Sequence, residues 1–168
     1  QIVVNSAAPL AASNASVCTG NTVTLTVTGA TTYSWTPAAG LNSTTGSSVL
    51  ASLSASTNYT VTGTSVCGIS SAVISVTVNP SPSVISSAPP AICEGNSVTL
   101  TATGASNYFW QPTAGLNSSS GISVIATATI TTTYTVVGTD TNGCADTAYV
   151  VLTINPLPVL TGSPDVII

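Results

Sequence analysis

The chain has no lysine, no arginine and no histidine, and only four acidic residues, Glu94, Asp140, Asp146 and Asp165. Soluble domains average about a quarter charged residues; here the figure is 2%. Without cations the chain has nothing to neutralise phosphate, which argues against nucleic acid and anionic membrane surfaces as partners. Without histidine or lysine, a serine nucleophile has no usual base. The carboxylates are scattered, which argues against a paired glycosidase site, so no catalytic residue is assigned and the chain reads as a non-enzyme. Missing lysine also excludes Lys–Asn cross-links within a sandwich, and missing lysine and arginine remove every trypsin-type cleavage site. Solubility falls to serine, threonine and asparagine, or to attached sugar.

Two further absences concern membranes and metals. No apolar run reaches the ~20 residues of a spanning helix, so membrane insertion is not expected. A secretory leader is not recognisable, so the sequence reads as a mature chain or an excerpt. Four cysteines without histidine leave a zinc site short of ligands, and no metal or cofactor is expected. An even cysteine count points instead to an oxidising compartment.

What is present is a repeat. Cys18-Thr-Gly-Asn-Thr-Val-Thr-Leu-Thr-Val-Thr-Gly29 returns as Cys93-Glu-Gly-Asn-Ser-Val-Thr-Leu-Thr-Ala-Thr-Gly104. Tyr33-Ser-Trp35-Thr-Pro37 returns as Tyr108-Phe-Trp110-Gln-Pro112, Gly40-Leu-Asn42 as Gly115-Leu-Asn117, and Asn58-Tyr-Thr-Val61 as Thr133-Tyr-Thr-Val136. Such self-similarity decides the architecture before anything else. The shift slips between Cys67 and Cys144, which marks a turn of different length.

Each repeat reads as β. Val23, Leu25 and Val27 alternate with Thr22, Thr24, Thr26 and Thr28, a period of two with one apolar face. Strands are predicted in the first repeat at 9–12, 22–28, 32–36, 48–53, 58–64 and 72–79. A turn covers 65–70, and the loop from Pro37 to Gly46 has room for a short edge strand. The second repeat predicts strands at 97–103, 106–111, 123–128, 132–139 and 147–155. Short strands, glycine-rich turns and no helical period indicate an all-β chain of two tandem sandwiches. The boundaries read as 1–5, the tail of a preceding repeat or an exchanged strand; 6–79 and 80–155, the two repeats; and 156–168, a linker and the start of a following repeat. Asn79-Pro-Ser-Pro82 and Asn155-Pro-Leu-Pro158 are stiffened junctions.

The order Cys-x-Gly-Asn-x-Val-Thr-Leu-Thr, Tyr-x-Trp-x-Pro, Tyr-Thr-Val and Val-x-Val-Asn-Pro resembles the immunoglobulin-like and polycystic-kidney-disease-type repeats of giant surface proteins in Bacteroidetes-like bacteria. The resemblance covers nearly the whole chain. It implies two Greek-key sandwiches in an extracellular array, a filament, a stalk, an adhesin or a spacer in a secreted protein. Implied partners are other copies or adjacent repeats, with surface glycans as the adhesin alternative. It also implies that Asp146-Thr147-Ala148 is an O-glycan acceptor. Asn14, Asn42, Asn58 and Asn117 are formal N-glycan acceptors.

In that topology a strand-three tryptophan fills the core. Trp35 and Trp110 are therefore core residues rather than a sugar-stacking platform with Tyr33 and Tyr108. Tyr59 and Tyr134 resemble the tyrosine corner. Asp140-Thr-Asn-Gly-Cys-Ala-Asp146 has faint calcium-loop spacing, against which turn chemistry is the stronger reading. For the cysteines, an immunoglobulin topology puts Cys18 and Cys67 at opposite poles, roughly 23 Å apart along about seven strand residues, whereas a disulfide needs Cα atoms within about 7 Å. The preferred pairing is Cys18–Cys144 across the repeat junction, with Cys93–Cys67 between subunits. The alternative is Cys18–Cys67 and Cys93–Cys144 within the repeats.

Overall fold

A computed structural model describes residues 7–158. The readings of residues 1–5 and of 159–168 fall outside it. The chain divides between Ser81 and Pro82 into two compact units, and each is described by itself. Among the described residues every regular element is a strand.

The first unit contains β1 (Ala11–Ala12), β2 (Ala15–Cys18), β3 (Thr22–Thr28), β4 (Thr32–Thr36), β5 (Ser48–Ser52), β6 (Thr57–Ser65) and β7 (Gly68–Asn79). One sheet has the order β1-β3-β5 and the other β2-β7-β6-β4. The second unit contains β8 (Ile85–Ser86), β9 (Ile92–Cys93), β10 (Val98–Thr103), β11 (Asn107–Gln111), β12 (Ser123–Ala126), β13 (Thr132–Thr139), β14 (Ala145–Leu152) and β15 (Ile154–Asn155). Its sheets are β8-β10-β12, β11-β13-β14 and the short pair β15-β9.

The period-two pattern sets the layers. In β3 the four threonines face out while Leu25 and Val27 are buried. Leu25 lies opposite Val49 of β5, and Trp35 opposite Val61 of β6. In the second unit Leu100 faces Val124, Trp110 faces Val136, and Tyr134 faces Val150. Trp35, Trp110, Tyr59 and Tyr134 are all core residues. No buried residue of either core is charged, and among the described residues no buried side-chain nitrogen or oxygen lacks a hydrogen-bond partner.

Four details differ from the sequence reading. The turn expected over 65–70 is tighter, only Val66 and Cys67 separating β6 from β7, because Gly68 to Ser70 already pair with Ser65 to Gly63. The segments ending at Cys18 and Cys93 are strands in their own right. They run parallel to the last strand of their unit, with Cys18 opposite Asn79 and Cys93 opposite Asn155. They are two to four residues long and half-exposed, too short for alternation to reveal them. The last strand of the second unit is interrupted at Thr153 rather than continuous from 147 to 155. The loop after Pro37 forms no strand. It bridges to both sheets instead, through Ser34–Thr45 and Leu41–Ala51.

Two glycines are fixed by close approach. Gly104 has φ +97°, and a Cβ there would strike the carbonyl oxygen of Ser83. Gly138 lies mid-strand under Val84 and Ala105, which would stand 2.5 and 2.8 Å from an added Cβ. Replacement of Gly104 by alanine should destabilise the second unit by about 1–3 kcal/mol, because the conformation and the space are both unavailable to a side chain. Residue-resolved amide exchange checks this. Protection should fall across 82–155 and stay unchanged in 22–79; unchanged protection in both would refute it.

Candidate functional site: the two ends of each sandwich

The last strand of each unit defines two ends. We call the end where it begins the head and the end where the chain leaves it the tail. In the first unit the tail carries Cys18. Thr19 closes it, its amide and hydroxyl both donating to the Asn79 carbonyl at 2.9 and 3.2 Å. The Asn21 amide donates to the Cys18 carbonyl to complete the turn. The second unit repeats this. The Glu94 amide donates to Asn155, and the Asn96 amide to Cys93.

The head carries the other cysteine. Cys67 lies in the turn between β6 and β7, where Ser65 pairs with Gly68. Cys144 immediately precedes β14 and is fully buried. Cys18 therefore neighbours residue 79 and Cys67 neighbours residue 68 of one strand of 12 residues. At about 3.3 Å per residue the separation is roughly 36 Å. Cys93 and Cys144 are separated in the same way, opposite Asn155 and beside Ala145. Disulfides within a unit are excluded by that span, since a bridge needs about 7 Å or less. Cys18 and Cys144 are disulfide-bonded, while Cys93 is an exposed thiol.

The head of the second unit is held by carboxylates. Asp140 Oδ1 accepts from the amides of Asn142 and Cys144 at 2.9 and 2.8 Å, and its Oδ2 accepts from Asn142 Nδ2 at 3.3 Å. The carboxylate is thus committed to the turn. The described residues contain no group of three or more histidine, cysteine or acidic side chains placed to hold a metal. Asp146 Oδ2 accepts from the Val84 amide at 2.9 Å, tying the incoming chain to β14. Desolvation pushes the Asp140 carboxyl up, but hydrogen bonds from Cys144, Asn142 and Gly143 outweigh it and hold it below its ordinary value. The amides of Val84 and Thr147 likewise hold Asp146 low, against a smaller opposing effect of burial.

The loops from Pro37 and Pro112 lie at the tails, and they are pinned. Both prolines follow cis peptide bonds. The Asn42 amide donates to the Leu50 carbonyl at 3.0 Å, and Asn42 Oδ1 accepts from the Leu50 amide at 2.7 Å. Asn117 grips Ile125 in the same way. Tyr59 donates its hydroxyl to the Ala39 carbonyl, and Tyr134 to Ala114 at 3.1 Å. These hydroxyls act as corners, but they reach 20 residues upstream rather than a few. Trp35 and Trp110 donate from Nε1 to the carbonyls of Gly46 and Gly121. Tyr33 and Tyr108 close their own turns through Ala30 and Ala105. No aromatic platform results.

The acceptor residues are surface residues: Asn14, Asn42, Asn58, Asn117 and Thr147 are all exposed. Asn14, Asn42 and Asn117 use their Oδ1 atoms structurally, Asn14 accepting from the Ser75 amide. That task was missed from the sequence, although Gly-Leu-Asn recurs in both repeats.

The chain is similar in fold to extracellular domains 3–5 of Drosophila OTK. Identity is 12% over 86% of this chain and 60% of that one, with a TM-score of 0.50. It is also similar to an I-band fragment of titin, at 15% identity over 89% and 66% of the two chains with a TM-score of 0.44. A third similar structure is IG1 and IG2 of DIP-gamma, at 17% identity over 88% and 98% with a TM-score of 0.40. The chain thus spans about 60% of the OTK chain and 66% of the titin fragment. No family model and no curated protein matches. The fold is tandem immunoglobulin-like β-sandwiches.

The carboxylates make the two units respond differently to acid. Residues 1–81 contain no Asp, Glu, Lys, Arg or His. In the second unit, Asp140 and Asp146 have folded-state values below the ordinary 3.8. Their contribution is present above that value and is lost as pH falls through the lowered one. Amide exchange should therefore show 82–155 opening progressively below about pH 4 while 22–79 stays flat. Equal acid sensitivity of the two units would refute this.

Proposed function

We propose that the chain is a two-sandwich unit of an extracellular filament or stalk, of the kind built from the bacterial surface repeats that it resembles. Units join head to tail. The role is mechanical, and disulfides at the junctions carry load between sandwiches.

One observation carries this reading. Each unit places one cysteine at its head and one at its tail, too far apart to meet, and the two oxidised cysteines are a tail residue of the first unit and a head residue of the second. A Cys18–Cys144 bridge across the junction satisfies both. The remaining positions follow the same rule. Cys93 lies at the tail of the second unit and Cys67 at the head of the first. A Cys93–Cys67 bond between successive copies would extend the staple along the array. Two thiols form it by losing two protons and two electrons to a small disulfide oxidant, which is itself reduced to two thiols. A bond that crosses every junction resists extension without relying on a large interface.

The composition suits this task. A chain without lysine or arginine offers no site to trypsin-type proteases, and proline at each junction restricts the hinge. The pinned loops at the tails, with their backbone and asparagine groups already bonded internally, favour docking by fixed shape over grasping of a glycan by mobile loops.

Electron microscopy beside reducing and non-reducing gels tests the polymer. Fibres that enter the gel only after reduction are expected. Soluble monomers with unchanged mobility under oxidising conditions would overturn the reading and favour an adhesin or spacer repeat. Peptic digestion at acid pH, where disulfides do not shuffle, tests the connectivity. A Cys18–Cys144 linked peptide is expected, and a Cys18–Cys67 peptide would refute the staple.

A further inference from the structure

The turn that carries Cys144 is built differently from its counterpart. In the first unit the turn is Ser65-Val66-Cys67-Gly68, and the Ser65 hydroxyl accepts from the Cys67 amide at 3.3 Å. In the second unit Asp140 takes the place of Ser65, and the turn is longer. Asp140 holds Cys144 on both sides of its backbone. The Asp140 amide donates to the Cys144 carbonyl at 2.9 Å, and Asp140 Oδ1 accepts from the Cys144 amide at 2.8 Å. The same carboxylate accepts from the amide and the side-chain nitrogen of Asn142, and the Asp140 carbonyl accepts from the Gly143 amide at 3.2 Å. Hydrogen bonds to an ionised acceptor are roughly twice as strong as neutral ones. The cysteine held in this way has no exposed surface and is disulfide-bonded.

The chain also carries a nucleophile, the exposed thiol of Cys93. When a thiolate attacks a disulfide, a new S–S bond forms and the electron pair of the old bond leaves on the other sulfur. Two such routes exist for the bond to Cys144. Attack on the Cys144 sulfur needs a surface that the folded turn does not offer. Attack on the partner sulfur expels Cys144 as a thiolate, at a buried position in the same turn as an ionised carboxylate. Burial and a like charge both raise a thiol's pKa, and a more basic thiolate leaves more slowly. Both routes open once the turn lets go.

We propose that the Asp140 turn is a latch that shields the Cys144 disulfide from thiol exchange while the carboxylate is ionised. The latch requires only that Cys144 be oxidised and a thiol be at hand, and it operates whether or not copies of the chain join. It keeps the exposed thiol and the structural bond of one chain from scrambling.

A single carboxylate operates the latch. Asp146, two residues beyond Cys144, turns its own carboxylate to the Val84 amide. On β11, which pairs with the end of β13, the titratable group is Tyr108, whose hydroxyl bonds to Ala105. The segment from Pro82 to Ser86 has no titratable side chain, and residues 1–81 contain no Asp, Glu, Lys, Arg or His. Protonation of Asp140 removes the ionised acceptor. The latch is therefore closed above the lowered Asp140 value and opens as pH falls through it.

The test uses the whole oxidised chain with its accessible thiols capped by N-ethylmaleimide. The reductant is a water-soluble phosphine, which unlike a thiol still attacks disulfides in acid. Phosphorus bonds to one sulfur, the other leaves as a thiolate, and water converts the adduct into the phosphine oxide and the second thiol. A second alkylating reagent and peptide mass spectrometry follow Cys144, with glutathione disulfide in the same tube as an unshielded standard. Relative to that standard, wild-type Cys144 should appear slowly at pH 7. Asp140→Ala should release it about tenfold faster, because reduction of a buried bond tracks the population of the opened form. Asp140→Ser, which installs the residue of the first unit, should fall between them. Asp146→Asn, which loosens the same unit at another bond, should stay at the wild-type rate. The relative rate of the wild type should rise below about pH 4, closing the gap to Asp140→Ala. Equal rates for wild type and Asp140→Ala at pH 7, or an equal gain in Asp146→Asn, would overturn the latch. A wild-type relative rate that stays flat to about pH 3 would also overturn it, and that measurement stands even where the alanine variant fails to fold.

Discussion

The parallel pairing of the Cys18 segment with the end of β7 is the contact on which the rest of this architecture depends. It fixes where the chain crosses from one sheet to the other, and it holds the tail turn through the two bonds to the Asn79 carbonyl. It also makes the last strand a ruler. One cysteine is set at its far end and the other at the turn that begins it, and no rotamer change can bring them together. An immunoglobulin-like sandwich of the antibody type places its disulfide between the sheets, over the core tryptophan. Here Trp35 and Tyr59 lie in a cluster of buried apolar residues that holds no cysteine, and the cysteines lie at the ends. The span of the last strand keeps the two cysteines of a unit apart.

A chain with so little charge must satisfy its polar groups by other means. Tyrosine and tryptophan supply the deep donors, and each is spent on a carbonyl in a loop or turn. Asparagine, serine and threonine add bonds to exposed backbone, and Asn42 and Asn117 each pair both groups of a strand residue as a backbone partner would. Neutral hydrogen bonds of this kind contribute about 1 kcal/mol each, and they are indifferent to ionic strength where ion pairs are screened. The first unit takes this furthest, since its acid–base inventory is limited to tyrosine and cysteine. Burial raises the Tyr59 and Tyr134 hydroxyls above their ordinary value of 10.0. Their stabilising contribution is therefore kept below pH 10 and lost only as alkali ionises them in the folded state.

Much of this was legible in the sequence, and the parts that were not share a cause. Strands with several alternating residues, such as 22–28, 32–36 and 132–139, were read with the bounds that the structure has, because one face of each is buried and the period is explicit. The segments at Cys18 and Cys93 were not recognised as strands. They are edge pairings of two to four residues, specified by what they lie beside and not by their own pattern. The burial of Trp35, Trp110, Tyr59 and Tyr134 was legible from size and position. Their hydrogen-bond partners, 11 and 20 residues away, were not, because a loop's path cannot be read from composition. The asparagines show the limit most clearly. Gly-Leu-Asn in both repeats signals a shared task, but only the fold reveals that the task is to hold β5 and β12 to the loop.

Repeats diverge where their surroundings differ, and that gives the ends of this chain their meaning. The core tryptophan and the cis proline two residues after it are common to both units, while other core positions exchange one apolar residue for another, as Val27 for Ala102 and Ile74 for Val150. Leu53 against Ala128, and the polar turn at Asp140 against Val66, are differences that lie at the poles. An isolated sandwich gains nothing from a wholly exposed valine, since it leaves hydrocarbon in water.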